Sequence, residues 1–153
     1  MKYFVFFTLV NITFAQTISV KHPCSGKTIV ENQIDENDYG LNMGKITVNF
    51  LHENNINFQG SEAGISQILK TPIGDKSLVI IDDMTMLAFG WCYSINGVVP
   101  DKYADKVIYS SGVEQIIWFY GYSRNTSNKW VNMCKLASNL PEKYNPGCKK
   151  TVN

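Results

Sequence analysis

Gly90-Trp91-Cys92-Tyr93-Ser94-Ile95-Asn96-Gly97, answered by Ile116-Ile117-Trp118-Phe119-Tyr120-Gly121-Tyr122, is the stretch that decides the fold. Both runs are rich in aromatic and β-branched residues, which favour a pleated, half-buried surface. Asn96-Gly97 supplies the positive φ of a tight turn. The connection through Pro100-Asp101-Lys102-Tyr103 and Asp105-Lys106 reads as a solvated loop. Side chains alternate along a strand, so Trp91, Tyr93 and Ile95 share one side, with Cys92 and Ser94 on the other. In the partner run Trp118, Tyr120 and Tyr122 share a face, opposite Ile117 and Phe119. These rings read in two ways. Either all are core and cross-strand pairs, or one face is a stacking platform for a flat or sugar-like ligand. Trp91, Tyr93, Trp118 and Tyr120, with Asn96 at the turn, are therefore the candidate ligand-binding residues.

Outward from this pair, the N-terminus carries Lys2, then the apolar run Tyr3 to Val10, and a small residue at Ala15. That order of features reads as a secretory signal peptide over residues 1–15. Its apolar run is shorter than the roughly 20 residues of a membrane span. Cleavage after Ala15 leaves 138 residues, enough for one core, with 13 basic and 13 acidic side chains. A neutral chain lacks the basic surface that nucleic acid or an anionic membrane selects, so neither is expected as a partner.

All four cysteines, Cys24, Cys92, Cys134 and Cys148, follow the expected cleavage point. An even count in an exported chain reads as two disulfides. Zinc is the rival, but there is no C-x-x-C pair, and the histidines are His22 and His52 alone. Of the three pairings, Cys24–Cys148 with Cys92–Cys134 is preferred because it would tie both tails to the core. No metal and no cofactor are expected. No serine sits in a nucleophile elbow, and neither a glycine-rich phosphate loop nor HExxH occurs, so the chain is expected not to be an enzyme. Asp82-Asp83 and Asp35 to Asp38 lack the spaced ligands of a calcium loop. Asn125-Thr126-Ser127 is a glycosylation sequon, relevant where the source glycosylates exported proteins.

Along the rest of the chain, Thr17 to Lys21 and Lys27 to Glu31 read as a hairpin broken at Pro23-Cys24-Ser25-Gly26. Asp35 to Asp38 is an acidic run suited to a helix N-terminus. Leu41 to Glu53 is ambiguous: a helical face coexists with β-branched Ile46, Thr47 and Val48. Ile56 to Leu69 reads as extended chain interrupted by a glycine-marked kink or bulge. Leu78 to Ile81 reads as a short buried strand, after which Asp82-Asp83 could cap a helical turn at Met84 to Leu87. Arg124 to Lys129 reads as a polar loop, Trp130 to Cys134 as an edge strand, and residues 136–153 as an irregular tail held by Cys148.

The G-W-x-Y-x-x-N-G pattern at Gly90 to Gly97, with Ile116 to Tyr120 as its closing strand, resembles a family of small bacterial exported domains. Those domains are similar to the C-terminal domain of transcobalamin and intrinsic factor. Ser61-Glu62-Ala63-Gly64-Ile65-Ser66-Gln67-Ile68 and Lys129-Trp130-Val131-Asn132-Met133-Cys134 resemble a cysteine-bearing subgroup. The resemblance implies an α+β, β-grasp-like mixed sheet with one main helix, here stabilised by disulfides and spanning residues 16–135. It resolves Leu41 to Glu53 towards helix. In the vertebrate carriers this domain covers one side of a cobalamin held against an α-helical barrel, which the present chain is too short to hold. The functional expectation is a secreted or periplasmic, non-enzymatic module that binds a flat corrinoid-like ligand or a glycan. The alternative class is a structural or protein-interaction domain with a protein partner.

Overall fold

The computed structural model describes residues 15–148, so the signal peptide expected over residues 1–15 lies outside the described residues except for Ala15. A hairpin opens the fold. β1 (Thr17–Lys21) and β2 (Thr28–Gln33) are antiparallel, with Thr17 opposite Gln33 and Val20 opposite Val30. β1 also runs parallel to β7 (Gln115–Thr126), Thr17 opposite Gln115 and Val20 opposite Trp118. Paired on both sides, it buries Ile18, Ser19 and Val20 together.

The ambiguous segment is a helix, α1 (Met43–Glu53). Met43, Ile46, Thr47, Phe50 and Leu51 are all buried, a continuous stripe at helical spacing that outweighs the β-branched propensity of Ile46 to Val48. Thr47 is accommodated because its hydroxyl donates to the Met43 carbonyl at 2.7 Å. The acidic run does not cap this helix. Asp35 instead accepts the Asn37 N–H at 2.8 Å and caps one 3-10 turn, Glu36–Asp38. The cap of α1 is Asn42, whose Oδ1 accepts the Lys45 N–H at 2.7 Å.

Residues expected as one extended run fold back on themselves. β3 (Phe58–Ser61) and β4 (Gly64–Ile68) form a separate two-stranded sheet that turns at Glu62-Ala63. The glycine mark is a bulge between Gln59 and Gly60, where Gly60 has φ +144° and a Cβ would lie 2.5 Å from the Gly64 carbonyl oxygen.

β5 (Leu78–Asp82) and β6 (Thr85–Ile95) follow as an antiparallel pair. The helical turn expected at Met84 to Leu87 is absent. Asp82 Oδ1 accepts the Met84 N–H at 2.9 Å, closing a tight turn that leads directly into β6. β5 was expected to be buried, but it is the edge of the sheet, whose order is β2-β1-β7-β6-β5. β8 (Lys129–Leu136) pairs with β7 beyond the end of β1, so one edge of β7 serves two strands in succession. The expected polar loop at Arg124 to Lys129 is a hairpin turn instead, with positive φ at Ser127 and Asn128.

Three 3-10 turns, Ala137–Asn139, Glu142–Tyr144 and Pro146–Cys148, complete the described chain. Fully buried Asn145 donates to the carbonyls of Pro23 at 3.0 Å and Ala137 at 3.2 Å. Cys24 is bonded to Cys148 and Cys92 to Cys134. The second bridge passes over β7 at Gly121, where a Cβ would lie 2.9 Å from Cys92 Sγ. The result is a curled, mixed sheet with one α-helix among the described residues. No described helix is long and apolar enough to cross a membrane.

Candidate functional site

β6 and β7 pair without a register shift from Thr85 opposite Thr126 to Ile95 opposite Ile116. This sets Trp91 opposite Tyr120 and Tyr93 opposite Trp118, the latter rings stacked with centroids 5.2 Å apart and planes 25° apart. Their shared face does not form an open platform. Trp91 and Tyr93 are each 8% exposed, Trp118 2% and Tyr120 1%. The burial has a chemical signature, because three of the four polar tips are consumed inside the protein. Trp91 Nε1 donates to Thr71 Oγ1 at 2.8 Å, Trp118 Nε1 to Thr47 Oγ1 at 2.9 Å, and Tyr93 OH to the Lys102 carbonyl at 2.8 Å. Tyr120 OH is buried without a partner among the described residues. Burial drives the Tyr120 phenol well above its usual pKa, and burial, then the charges of Asp105 and Asp101, raise that of Tyr93.

Asn96 is also engaged. With Gly97 it forms the two-residue turn, at φ 49° and 79° respectively, closed by reciprocal Ile95–Val98 backbone hydrogen bonds of 2.8 and 2.9 Å. Its Oδ1 accepts the N–H groups of Glu114 (2.9 Å) and Gln115 (3.1 Å), and its Nδ2 donates to the Gly112 carbonyl at 2.8 Å. That clamp fixes the chain entering β7 and engages both ends of the amide.

An open concavity lies beside the aromatic pair. β5 accompanies β6 only as far as Ala88, and the Ile95–Val98 bridge closes the far end, so a free edge runs between them. Around that edge two adjoining hollows, of about 950 and 400 Å³, share Val99, Pro100, Lys102, Tyr103 and Cys134. The smaller one reaches inward to Trp91, Tyr93 and Trp118 and is walled by Gly64, Ile65 and Ser66 of β4. The larger one opens past Met133 and Lys106. Tyr103 is 74% exposed and Met133 62% exposed at this mouth.

Three of the sequence-nominated residues thus line the inner wall, whereas Tyr120 and Asn96 do not. Sequence reasoning missed Lys102 and Tyr103 because Pro100 to Lys106 reads as a solvated loop, and Val99 and Met133 because they fall beside a turn and in an edge strand. The loop is largely exposed, as its composition implies, but it is anchored at one point: Ala104 is 1% exposed and donates its N–H to the Ala63 carbonyl at 3.3 Å. The available signal was an aromatic and a valine pair in a short loop otherwise made of charges. Lys106 is paired with Asp105 at 2.9 Å, while Lys102 has no ion-pair partner among the described residues. No group of metal-ligating side chains occurs among the described residues. No family model matches the chain, and neither a curated protein nor a solved structure is significantly similar to it.

Proposed function

We propose that the chain is an exported, non-enzymatic small-ligand-binding module of β-grasp type, and that its ligand enters the cleft beside β6 rather than stacking on an open sheet. The β-grasp reading is supported by the β1–β2 hairpin, the following helix, and the parallel pairing of β1 with β7 at the centre of the sheet. Two disulfides support an oxidising, secreted or periplasmic location. The single observation that carries the binding reading is the cleft. Its volume is that of a small-molecule site, its inner wall holds three fixed rings, and its mouth exposes Tyr103 and Met133. Lining of this kind favours a flat ring system of corrinoid type, with an apolar face and a polar rim, over a neutral glycan. Lys102 adds a cation for an acidic substituent.

Titration of the mature domain with cobalamin and a small glycan panel tests the proposal. Tryptophan fluorescence, corrected for inner filtering and checked by calorimetry, is the readout. Saturable binding that weakens in Tyr103→Ala, with the thermal transition unchanged, is the expected result. A flat response to every compound, or binding indifferent to Tyr103→Ala, overturns it.

A further inference from the structure

The free edge of β5 is a second feature, distinct from the cleft. Its chemistry follows from the alternation of peptide directions along β6. Asn96 N–H bonds the Gln115 carbonyl on the β7 side, whereas Ile95 N–H bonds the Val98 carbonyl on the other. With no register shift between, odd-numbered residues of β6 turn their peptide groups towards β5. Leu87 is one of these and lies opposite Val79, so Val79 faces inward and the peptide groups of Leu78 and Ile80 face outward. Leu78 N–H is returned to the Asp75 carbonyl. That leaves the Leu78 carbonyl and both peptide groups of Ile80 without a backbone partner among the described residues.

Such an edge is normally blunted by shortness, a bulge, charge, proline or a covering element. Here the strand is five residues long and a register shift falls between Ile80 and Asp82. Leu78-Val79-Ile80-Ile81 nevertheless carries neither charge nor proline, and the Ile80 side chain is 68% exposed, with Met84 at 59% just beyond the turn. Charge appears only at the ends: Lys76 precedes the strand, Asp82 is its last residue and Asp83 follows it. None of the three has an ion-pair partner among the described residues.

We infer that β5 is a self-association edge, pairing antiparallel with β5 of a second copy about a two-fold axis at Ile80. In that arrangement the two Ile80 residues exchange N–H···O=C bonds, and the Lys76 end of each strand meets the Asp82-Asp83 end of the other. Parallel pairing would bring like ends together. An isologous contact of this kind closes on itself and pairs both peptide groups of Ile80 in each copy. One five-residue strand makes a small interface, so the association is reversible and concentration-dependent.

Sedimentation velocity over a concentration series, with hydrogen exchange at the Ile80 amide, tests this. A monomer–dimer equilibrium is expected, with the Ile80 amide slowed as dimer forms. Ile80→Lys should weaken association by about tenfold, since it sets two ammonium groups directly opposite each other across the pair. It leaves the monomer folded because the site is exposed. Lys76→Glu should weaken association by about tenfold, and Lys76→Glu with Asp83→Lys should restore it. Asp83 is chosen because Asp82 holds the turn. A wild-type chain that stays monomeric throughout, a dimer untouched by Ile80→Lys, or a charge swap that fails to restore pairing overturns the inference.

Discussion

Gly44→Ala sets local propensity against packing, and the structure supplies the magnitudes that decide between them. Gly44 lies in the first turn of α1, where alanine would raise intrinsic helix stability by about 1 kcal/mol. The helix, however, approaches the β3–β4 turn at this point. A Cβ on Gly44 would sit 1.7 Å from the Glu62 carbonyl oxygen, 2.5 Å from its carbonyl carbon and 2.7 Å from its Cα. Real Cβ contacts essentially never fall below 3.0 Å, so helix and hairpin must part by more than an ångström. The obstruction is backbone and cannot rotate aside. Parting stretches the Asn42–Glu62 hydrogen bond of 3.2 Å and loosens the seat of Ile65 and Ile68 against the core. A radial gap of that size forfeits about a quarter to a half of the dispersion attraction across it. Overpacking of this kind costs about 1–3 kcal/mol, and with backbone as the obstacle the upper half applies. Net of the propensity gain, the variant should be less stable by about 1–2 kcal/mol, roughly 3–8 °C in Tm. Urea and thermal unfolding of the disulfide-intact domain, compared with Gly90→Ala, is the assay. A Cβ at Gly90 meets nothing within 4 Å, so that control should stay near wild type. A Gly44→Ala protein as stable as wild type, or more so, would refute the close-approach argument and leave propensity as the governing term.

Trp91→Ala should cost about 3–5 kcal/mol, because it empties a buried ring site and strips Thr71 Oγ1 of its 2.8 Å donor. Denaturant curves should show this as a lowered midpoint, and a well-folded Trp91→Ala domain contradicts the assignment of Trp91 to the core. Asn96→Ala should lose about 2–3 kcal/mol, combining a positive-φ penalty with the loss of its side-chain hydrogen bonds to Glu114, Gln115 and Gly112, and Asn96→Gly should recover only the conformational part. Equal stability of Asn96→Gly and wild type would show that the side-chain clamp contributes nothing. In alkali, the Tyr109 phenol is pushed up to about 12 from 10.0, by burial first and then by Tyr39 and the Asp35 to Asp38 acids. Its folded form holds the proton more tightly, so stability is complete below pH 10.0 and falls as pH rises towards about 12. Tyr120 shifts the same way and extends the loss to higher pH. Urea midpoints followed through that window should drop while tyrosinate absorbance lags. Midpoints that hold constant across it would contradict the burial of these phenols.

Local patterning was legible where its cause is local. Alternation placed β1 at Thr17–Lys21, and Asn-Gly marked a turn whose two residues both have positive φ. The acidic run misled because capping chemistry is generic: Asp35 caps whatever turn follows it, and here that turn is one round of 3-10 helix. Arg124 to Lys129 misled because polar composition describes exposure, and an exposed two-residue hairpin is as polar as a loop. The cleft was half legible. Trp91, Tyr93 and Trp118 stood out as rings, but Tyr103 and Met133 meet them only after β4, β6 and β8 have assembled.

The amino-acid sequence by itself determined most of the strand positions and the Asn96-Gly97 turn, since each depends on neighbours within a few residues. Tertiary structure alone decided which face of the aromatic pair is closed, which cysteines meet and which strand is left at the edge. Trp118 is core because Thr47, 71 residues earlier, receives its N–H, and Cys92 meets Cys134, 42 residues later, across a glycine in β7. Burial and pairing are properties of two elements at once, and the periodicity of one of them carries no record of the other.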